Sequence, residues 1–573
     1  MTMTSGRRPR RLAALLAGSA LALIATPLLA ATGAPSGSVS LLGAVRDDVA
    51  EEVAATLHAR PDVNARDQMG ATPLAWAAMR DNPAVVKMLL DAGADPNLVD
   101  VDGVGPLSLA VTNADPQIVA MLLAKGANPN AARTTGETPL MTAARIGSTD
   151  IAKQLLAHGA QVNVHETNFD QTTLMWATGH PEIVRLLLDK GADVHVVTKA
   201  WEITATNYTP ITFTLGVTGI PWNNDGEYKM RAGGQGALLF AVQKDDVASV
   251  KMLLDAGMDV NQASADGTTP LLAALYNWTA KDGRAPKFSP DLALASLLLD
   301  RGAKVQVADQ AGYTPLHGAV LSLVLKEPEG ALQLAFNPGL KSEPDRPRPK
   351  PPAGEDEVLT LVKRLLAAGA DPNAATRLPT PGPVNFVRVN PAPPGSSAFH
   401  IAAATHSSRL VALLAEHGGD PNLVRKDGHT PFSVAVMNND LPSVEVMAAH
   451  GADFNRRYNP IDEISDPVEP KTQARKDETI LHIAGVSAAD WVIPFLAAHG
   501  APVDAKNSLG ETPLQLADAE ERFRYAHDRE GPLGGGIGKE AVRRETQTTD
   551  ALKKVSTRGL ASAKPARRAR PAA

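Results

Sequence analysis

Residues 67–99 read DQMGATPLAWAAMRDNPAVVKMLLDAGADPNLV, and the next 33 residues, 100–132, read DVDGVGPLSLAVTNADPQIVAMLLAKGANPNAA. Residues 133–165 continue the pattern as RTTGETPLMTAARIGSTDIAKQLLAHGAQVNVH. The period of 33 is kept by Leu74, Leu107 and Leu140, by Gly93, Gly126 and Gly159, and by Asn97, Asn130 and Asn163. A fixed period of this length marks a stack of small units rather than one closed core. Thr72 and Thr138 stand where a hydroxyl caps a helix, and Pro73 and Pro139 follow at the first helical position, where a missing N–H costs nothing. Val85, Val86, Leu89 and Leu90 lay an apolar stripe along a second helix, and Gly93 is placed to end it in the left-handed conformation. One unit cannot bury that stripe alone, so stability must come from stacking on both neighbours.

The signature returns at Thr269-Pro270-Leu271, Thr314-Pro315-Leu316-His317, Thr430-Pro431-Phe432 and Thr512-Pro513-Leu514, with weaker copies near Leu174, Leu238, Phe399 and Leu481. The residues in common resemble the ankyrin-repeat family, whose unit reads D-x-x-G-x-T-P-L-H-x-A-A, a Leu-Leu helix, then G-A-D-x-N. The resemblance implies an all-α solenoid of stacked helix-turn-helix units with short β-turn fingers, of about 11 or 12 units across residues 40–525. It further implies a bacterial-type array with insertions. Long interruptions fall near 199–234, 277–290, 326–357, 377–397 and 456–477. The first, fourth and fifth of these follow a Gly-Ala-Asp or Gly-Ala-Asp-like turn, where the family's fingers project; the other two fall between paired helices.

Outside the array, Arg7, Arg8, Arg10 and Arg11 precede an apolar run from Leu12 to Ala25 and a small-residue stretch at Ala30-Ala31. Residues 1–31 therefore read as a secretory signal peptide, and the protein as periplasmic or secreted. An uncleaved segment would make it a membrane-anchored envelope spacer instead. Residues 530–573, with Gly534-Gly535-Gly536 and a polar basic sequence, read as a disordered tail.

The chain of 573 residues carries a net charge of −6, but the first 38 residues hold +4 and the segment from Lys539 onward +7, leaving −17 between. An acidic body is a poor match for nucleic acid, whose binding rests on neutralised phosphates. Membrane contact is expected only through the N-terminal segment or the tail. With no cysteine, disulfides, thiolate metal sites and cysteine nucleophiles are excluded.

No active site emerges. The stretch from Gly534 to Lys539 lacks the first Gly, the closing Ser or Thr, and the preceding strand of a phosphate loop. His317, His400 and His482 occupy the family's T-P-L-H slot, and His158, His417, His450 and His499 each precede a helix-closing Gly, so these imidazoles read as scaffold. No zinc-protease or nucleophile-elbow motif is present. Trp76 and Trp176 occupy equivalent slots and read as packing. The first insert, with Trp201, Tyr208, Phe213, Trp222 and Tyr228, reads either as a small core of its own or as an aromatic anchor for a partner.

The resemblance thus implies a non-enzymatic, monomeric protein-binding scaffold without cofactor or metal. Its partner-facing positions would be finger tips and first-helix surfaces: Met69, Met79, Arg80, Val101, Thr112, Asn113, Thr134 and Arg145 in the early units, Trp201 and Trp222 in the insert, and Lys426, His429 and Met437 later.

Overall fold

Each Thr-Pro-Leu signature opens a helix, and each is followed by a second, antiparallel helix. The computed structural model describes residues 40–205, 228–325, 354–377, 394–459, 476–519 and 547–557, except Asn277, 280–286, Ser289 and Ala488. The first five pairs are Leu41–Asp47 with Ala50–Leu57, Pro73–Arg80 with Pro83–Asp91, Pro106–Thr112 with Pro116–Ala124, Pro139–Ile146 with Thr149–Ala157, and Thr173–Ala177 with Pro181–Asp189. The sixth is Ala237–Gln243 with Val247–Asp255, the seventh Pro270–Leu275 with Leu292–Asp300, and the eighth Pro315–Leu325 with Glu355–Ala367. Ala398–Ala402 with Ser408–Glu416, Pro431–Met437 with Leu441–Ala449, and Ile480–Val486 with Ile493–Ala498 follow. This is an all-α solenoid built from ankyrin-type helix pairs.

The local reasons are visible in the caps. The hydroxyls of Thr72, Thr138, Thr172 and Thr269 accept from the amide three residues on, at 3.2, 3.3, 3.4 and 3.2 Å. Asp115 does the same for a second helix, accepting from Gln117 at 2.7 Å and Ile118 at 3.0 Å. Gly93 ends its helix at φ +91° with nothing within 4 Å of where a Cβ would stand, so backbone conformation rather than space demands glycine.

First helices pack on first helices and second on second, so that Leu74, Val85, Val86 and Leu89 are buried in one repeat and Leu140, Ile151 and Leu155 in another. The apolar seam runs without a break from Leu41 to Leu552. Each such large side chain contributes about 1.5–3 kcal/mol, and only in the presence of the neighbouring repeat.

Two ladders of hydrogen bonds tie the repeats together. At the fingers, Val101 N donates to Met69 O (3.2 Å), Thr134 N to Asp102 O (3.0 Å), Thr167 N to Thr135 O (2.9 Å) and Lys199 N to Phe169 O (2.9 Å). On the other side of the repeat, Asn130 Nδ2 donates to Gly159 O at 3.0 Å while its Oδ1 accepts from Gln161 N at 2.7 Å. Asn97, Asn163, Asn373 and Asn422 make the same pair of bonds. Asn130→Ala hands the exposed Gly159 carbonyl and Gln161 amide to water, and is expected to cost about 1 kcal/mol in urea unfolding.

The finger ladder passes through the first insert. β1 (Ala200–Ala205) and β2 (Tyr228–Gly233) form an antiparallel hairpin with Ala200 opposite Gly233 and Ala205 opposite Tyr228. Its first strand continues from Lys199, and Gly233 O accepts from Ala265 N of the following finger at 2.8 Å. This finger is thus a true hairpin, longer than the β-turn expected. Arg377 N and Pro394 O likewise bond to the fingers before and after them, at 2.7 and 2.9 Å. Of the stretch expected as an insert at 326–357, the last residues are helical: Glu355 is buried, bonds Ser407 Oγ, and pairs with Arg409 at 2.9 Å.

The expectation of a disordered tail over 530–573 fails in part. Residues 547–557 form a helix in which Thr548, Thr549 and Leu552 are buried. It follows the helix at 513–519 as the second member of a twelfth pair, with Leu552 Cδ1 3.6 Å from the position a Cβ on Gly485 would take. Gln547, Asp550, Lys553, Lys554 and Thr557 of this helix are exposed. The stripe was hidden because threonines stand where other second helices carry valine. The expected signal peptide at 1–31 and the rest of the tail lie outside the described residues.

Candidate protein-interaction surface

The second finger shows how side chains are set on the outer row. Asp67 Oδ1 accepts from the amides of Met69 and Ala71, both at 2.9 Å, which closes the turn with Gly70 at φ +84°. Its other oxygen accepts from Trp76 Nε1 at 2.9 Å and Arg46 Nη2 at 2.6 Å. Burial alone would raise the Asp67 carboxyl, but hydrogen bonds from Trp76, Ala71, Arg46 and Met69 together hold it below the ordinary carboxylate range. With the turn fixed, Met69 has nowhere to pack and is 58% exposed. Asp100 repeats the device for Asp102 and Val104, at 2.9 and 2.8 Å, and leaves Val101 64% exposed.

The fourth finger replaces the aspartate by Arg133, which pairs with Glu137 at 3.5 Å, and Thr134 is exposed at its tip. The fifth finger holds one residue more. There Glu166, one methylene longer than aspartate, reaches the amides of Asn168, Phe169 and Gln171 at 2.8, 2.7 and 3.1 Å. Phe169 emerges 39% exposed with Trp201 of the hairpin against it, ring centroids 5.4 Å apart.

First helices contribute Met79, which is 42% exposed, and Arg80, whose Nη2 donates to Arg46 O at 2.6 Å. The two tryptophans pack partly on the core, and each carries an arginine over its ring: Arg46 on Trp76 at 4.5 Å and Arg145 on Trp176 at 5.6 Å.

The sequence-derived positions therefore divide. Met69, Met79, Arg80, Val101, Thr112, Thr134 and Arg145 are all exposed on fingers and first helices of the early repeats. Asn113 is exposed too, but its Nδ2 donates to Ala78 O and Met79 O at 3.0 Å, so it caps the preceding repeat's helix. Trp201 is half-buried against Phe169, and Trp222 lies outside the described residues. In the tenth repeat Lys426 is exposed, whereas Met437 packs partly on the core and His429 is half-buried, its Nδ1 3.3 Å from Ser433 Oγ.

Phe169 was not anticipated from sequence; the extra residue between Glu166 and Thr172 is the signal that exposes it. Nor was Trp491, 42% exposed in the turn joining the two helices of the eleventh repeat, with its amide held by Asn439 Oδ1 at 3.0 Å.

The histidines take scaffold positions. Nδ1 of His158, His417, His450 and His499 lies 2.8–2.9 Å from the carbonyl four residues back, closing the end of a second helix. Among the described residues, no three His, Asp or Glu side chains gather into a group able to hold a metal ion, and no helix is long and apolar enough to cross a membrane.

Comparison with known proteins names the repeat. The family description "Ankyrin repeats (3 copies)" matches residues 41–133, 107–198 and 353–458, and the chain carries ankyrin repeats. It is 26% identical over 180 residues to the E3 ubiquitin-protein ligase KEG of Arabidopsis thaliana, covering 30% of this chain and 9% of that one. It is 31% identical over 124 residues to the mouse B-cell lymphoma 3 protein homolog, covering 22% and 24%, and 32% identical over 169 residues to the bovine mitochondrial disaggregase, covering 30% and 21%. The chain spans less than a quarter of the length of each of these relatives. Repeats of this family make a protein-interaction scaffold.

Proposed function

We propose that this protein is an exported, non-enzymatic scaffold that binds a protein partner along the fingers and first helices of its early repeats. The observation that carries the reading is the row formed by Met69, Val101, Met79 and Phe169. Met69 and Val101 stand in solvent on the second and third fingers and Met79 on the second repeat's first helix, while Phe169 emerges on the fifth finger beside Trp201, beyond Thr134 of the fourth; hydrogen bonds fix the finger backbones. Exposed apolar groups on rigid supports are what an interface core is made from, because binding them orders nothing further. The arginines over Trp76 and Trp176 border the row with charge, as a polar rim would.

The test is a double change, Met69→Glu with Val101→Glu. Both side chains point into water, so the melting temperature is expected to stay within about 2 °C of the parent. Proteins cross-linked to the native protein in its own compartment are expected to fall at least about tenfold in yield with the variant. An unchanged cross-linking pattern rules out this surface.

Export rests on the basic and apolar segments of residues 1–31. Mass spectrometry of the mature N-terminus checks it, with cleavage after the Ala30-Ala31 region expected. An intact Leu12–Ala25 segment in the membrane fraction would instead support an anchored spacer.

A further inference from the structure

The residue three positions past the capping residue varies along this array, and among the described caps it is histidine only in late repeats, with Ser433 taking the same place in the tenth. In repeats two, four, five and seven the third helical residue after the capping threonine is Ala75, Met141, Met175 or Leu272, none of which titrates. In repeats eight, nine and eleven it is a buried histidine: His317, His400 or His482. There the imidazole accepts a hydrogen bond from the backbone of the capping residue. Thr314 N lies 3.2 Å from His317 Nδ1, Ser397 N 3.1 Å from His400 Nδ1, and Thr479 N 3.0 Å from His482 Nδ1. The capping hydroxyls also approach Nδ1, at 2.8, 2.9 and 2.8 Å. On the far side of the ring, Nε2 of His482 meets Glu511 O at 2.9 Å, which requires the proton there. Nδ1 must therefore be bare. A second proton on the ring would set an N–H against the backbone N–H it serves, and would bury a charge.

We propose that the repeats from Ser397 onward form an acid-releasable end of the array, opening in mild acid while repeats two to five stay closed. The groups facing each ring do not rescue the charge. His400 is met by Arg425, Asp427 and His429 of the next finger, and His482 by Arg457 and Glu511. Burial first, then Arg425, pushes His400 down to about 3, and burial chiefly lowers His482. A folded value below the unfolded one of about 6.5 means stability is whole above pH 6.5 and is lost as pH falls toward the folded value.

Repeat eight has a counterweight. His317, which faces Asp371, is pushed down to about 4 by burial, but Asp309 in the same repeat is pushed up to about 7 by burial and by the charge of Asp266. A raised carboxyl contributes stability that is lost as pH rises through 7, so its protonation in acid offsets the histidine. Repeats nine and eleven have no such partner among the described residues. In repeats one to five the described histidines are all at least partly exposed, and the lowered carboxyl of Asp67 matters only below its ordinary range.

Hydrogen exchange of the full chain at pH 7.5 and pH 5.0, expressed as protection factors, tests this. The helices at 398–416 and 480–498 are expected to open about 30-fold more readily at pH 5.0 from His400 alone. Those at 73–91 and 139–157 are expected to change less than about threefold. The twelfth repeat provides the control chemistry: Gln515 occupies the histidine's slot, and its Oε1 accepts from Thr512 N at 2.9 Å without titrating. A His400→Gln, His429→Gln, His482→Gln chain, which also removes the His429 imidazole that burial lowers, should keep its caps and lose the pH response. Equal protection of the late repeats at both pH values overturns the proposal, as does equal loss in both halves. A glutamine variant that folds and still opens in acid also overturns it, and the comparison of halves in the parent stands whether or not the variant folds.

Discussion

Leu140→Asp is expected to lower stability by about 3–5 kcal/mol and to split urea unfolding into two transitions. Leu140 is wholly buried in the first helix of the fourth repeat, between the first helices of the third and fifth. A carboxylate there must either bury its charge or take up a proton. The larger consequence is positional. The fourth repeat is the contact through which repeats one to three and five onward stabilise one another, so its loss removes two interfaces at once. Trp76 reports on one side and Trp491 on the other, so fluorescence of chains retaining only one of these tryptophans can follow the halves separately. One cooperative transition at the parent midpoint would contradict the assignment of Leu140 to a repeat junction.

A chain stopped at Ala519 is expected to lose the ordered state of its last repeats. Removing 547–557 uncovers the sites now filled by Leu552, Thr548 and Thr549, and takes Leu552 away from Gly485. Leu552 alone contributes about 2 kcal/mol, and the helix at 513–519 has no second helix to lie against once its partner is gone. Protease cleavage within 480–519 should therefore become at least about tenfold faster, while the helices at 73–157 keep their resistance. Unchanged cleavage would mean that the twelfth pair adds nothing to the array.

Most of the fold was legible because spacing and chemistry repeat together. Thr-Pro-Leu fixes the start of a first helix, and the Val-Val-x-x-Leu-Leu stripe and the closing Gly fix the second; no tertiary information is needed to place them. The legibility failed where a helix pair is interrupted. Residues 547–557 carry the right periodicity in Thr548, Thr549 and Leu552, but the burial of two threonines depends on a neighbouring surface that no local pattern reveals. At the surface, Met69 and Val101 could be placed from register alone, because a finger's geometry fixes which residue is at the tip. Met437 and His429 could not: one packs partly on the core and the other turns toward Ser433, outcomes set by what stands beside them. Trp201 meets Phe169 only because the hairpin joins the finger ladder, a contact between residues 32 positions apart.

Stepwise shortening from the N-terminal end measures the stacking itself. Chains beginning at Gly70, Gly103 and Gly136 lose one helix pair at a time, and their urea unfolding can be followed by far-ultraviolet dichroism. Nearest-neighbour stacking gives a graded fall in stability, with the helices from 398 onward protected at every length. Collapse of all protected structure on removing the first pair or two would show a single closed core in place of a row of coupled repeats.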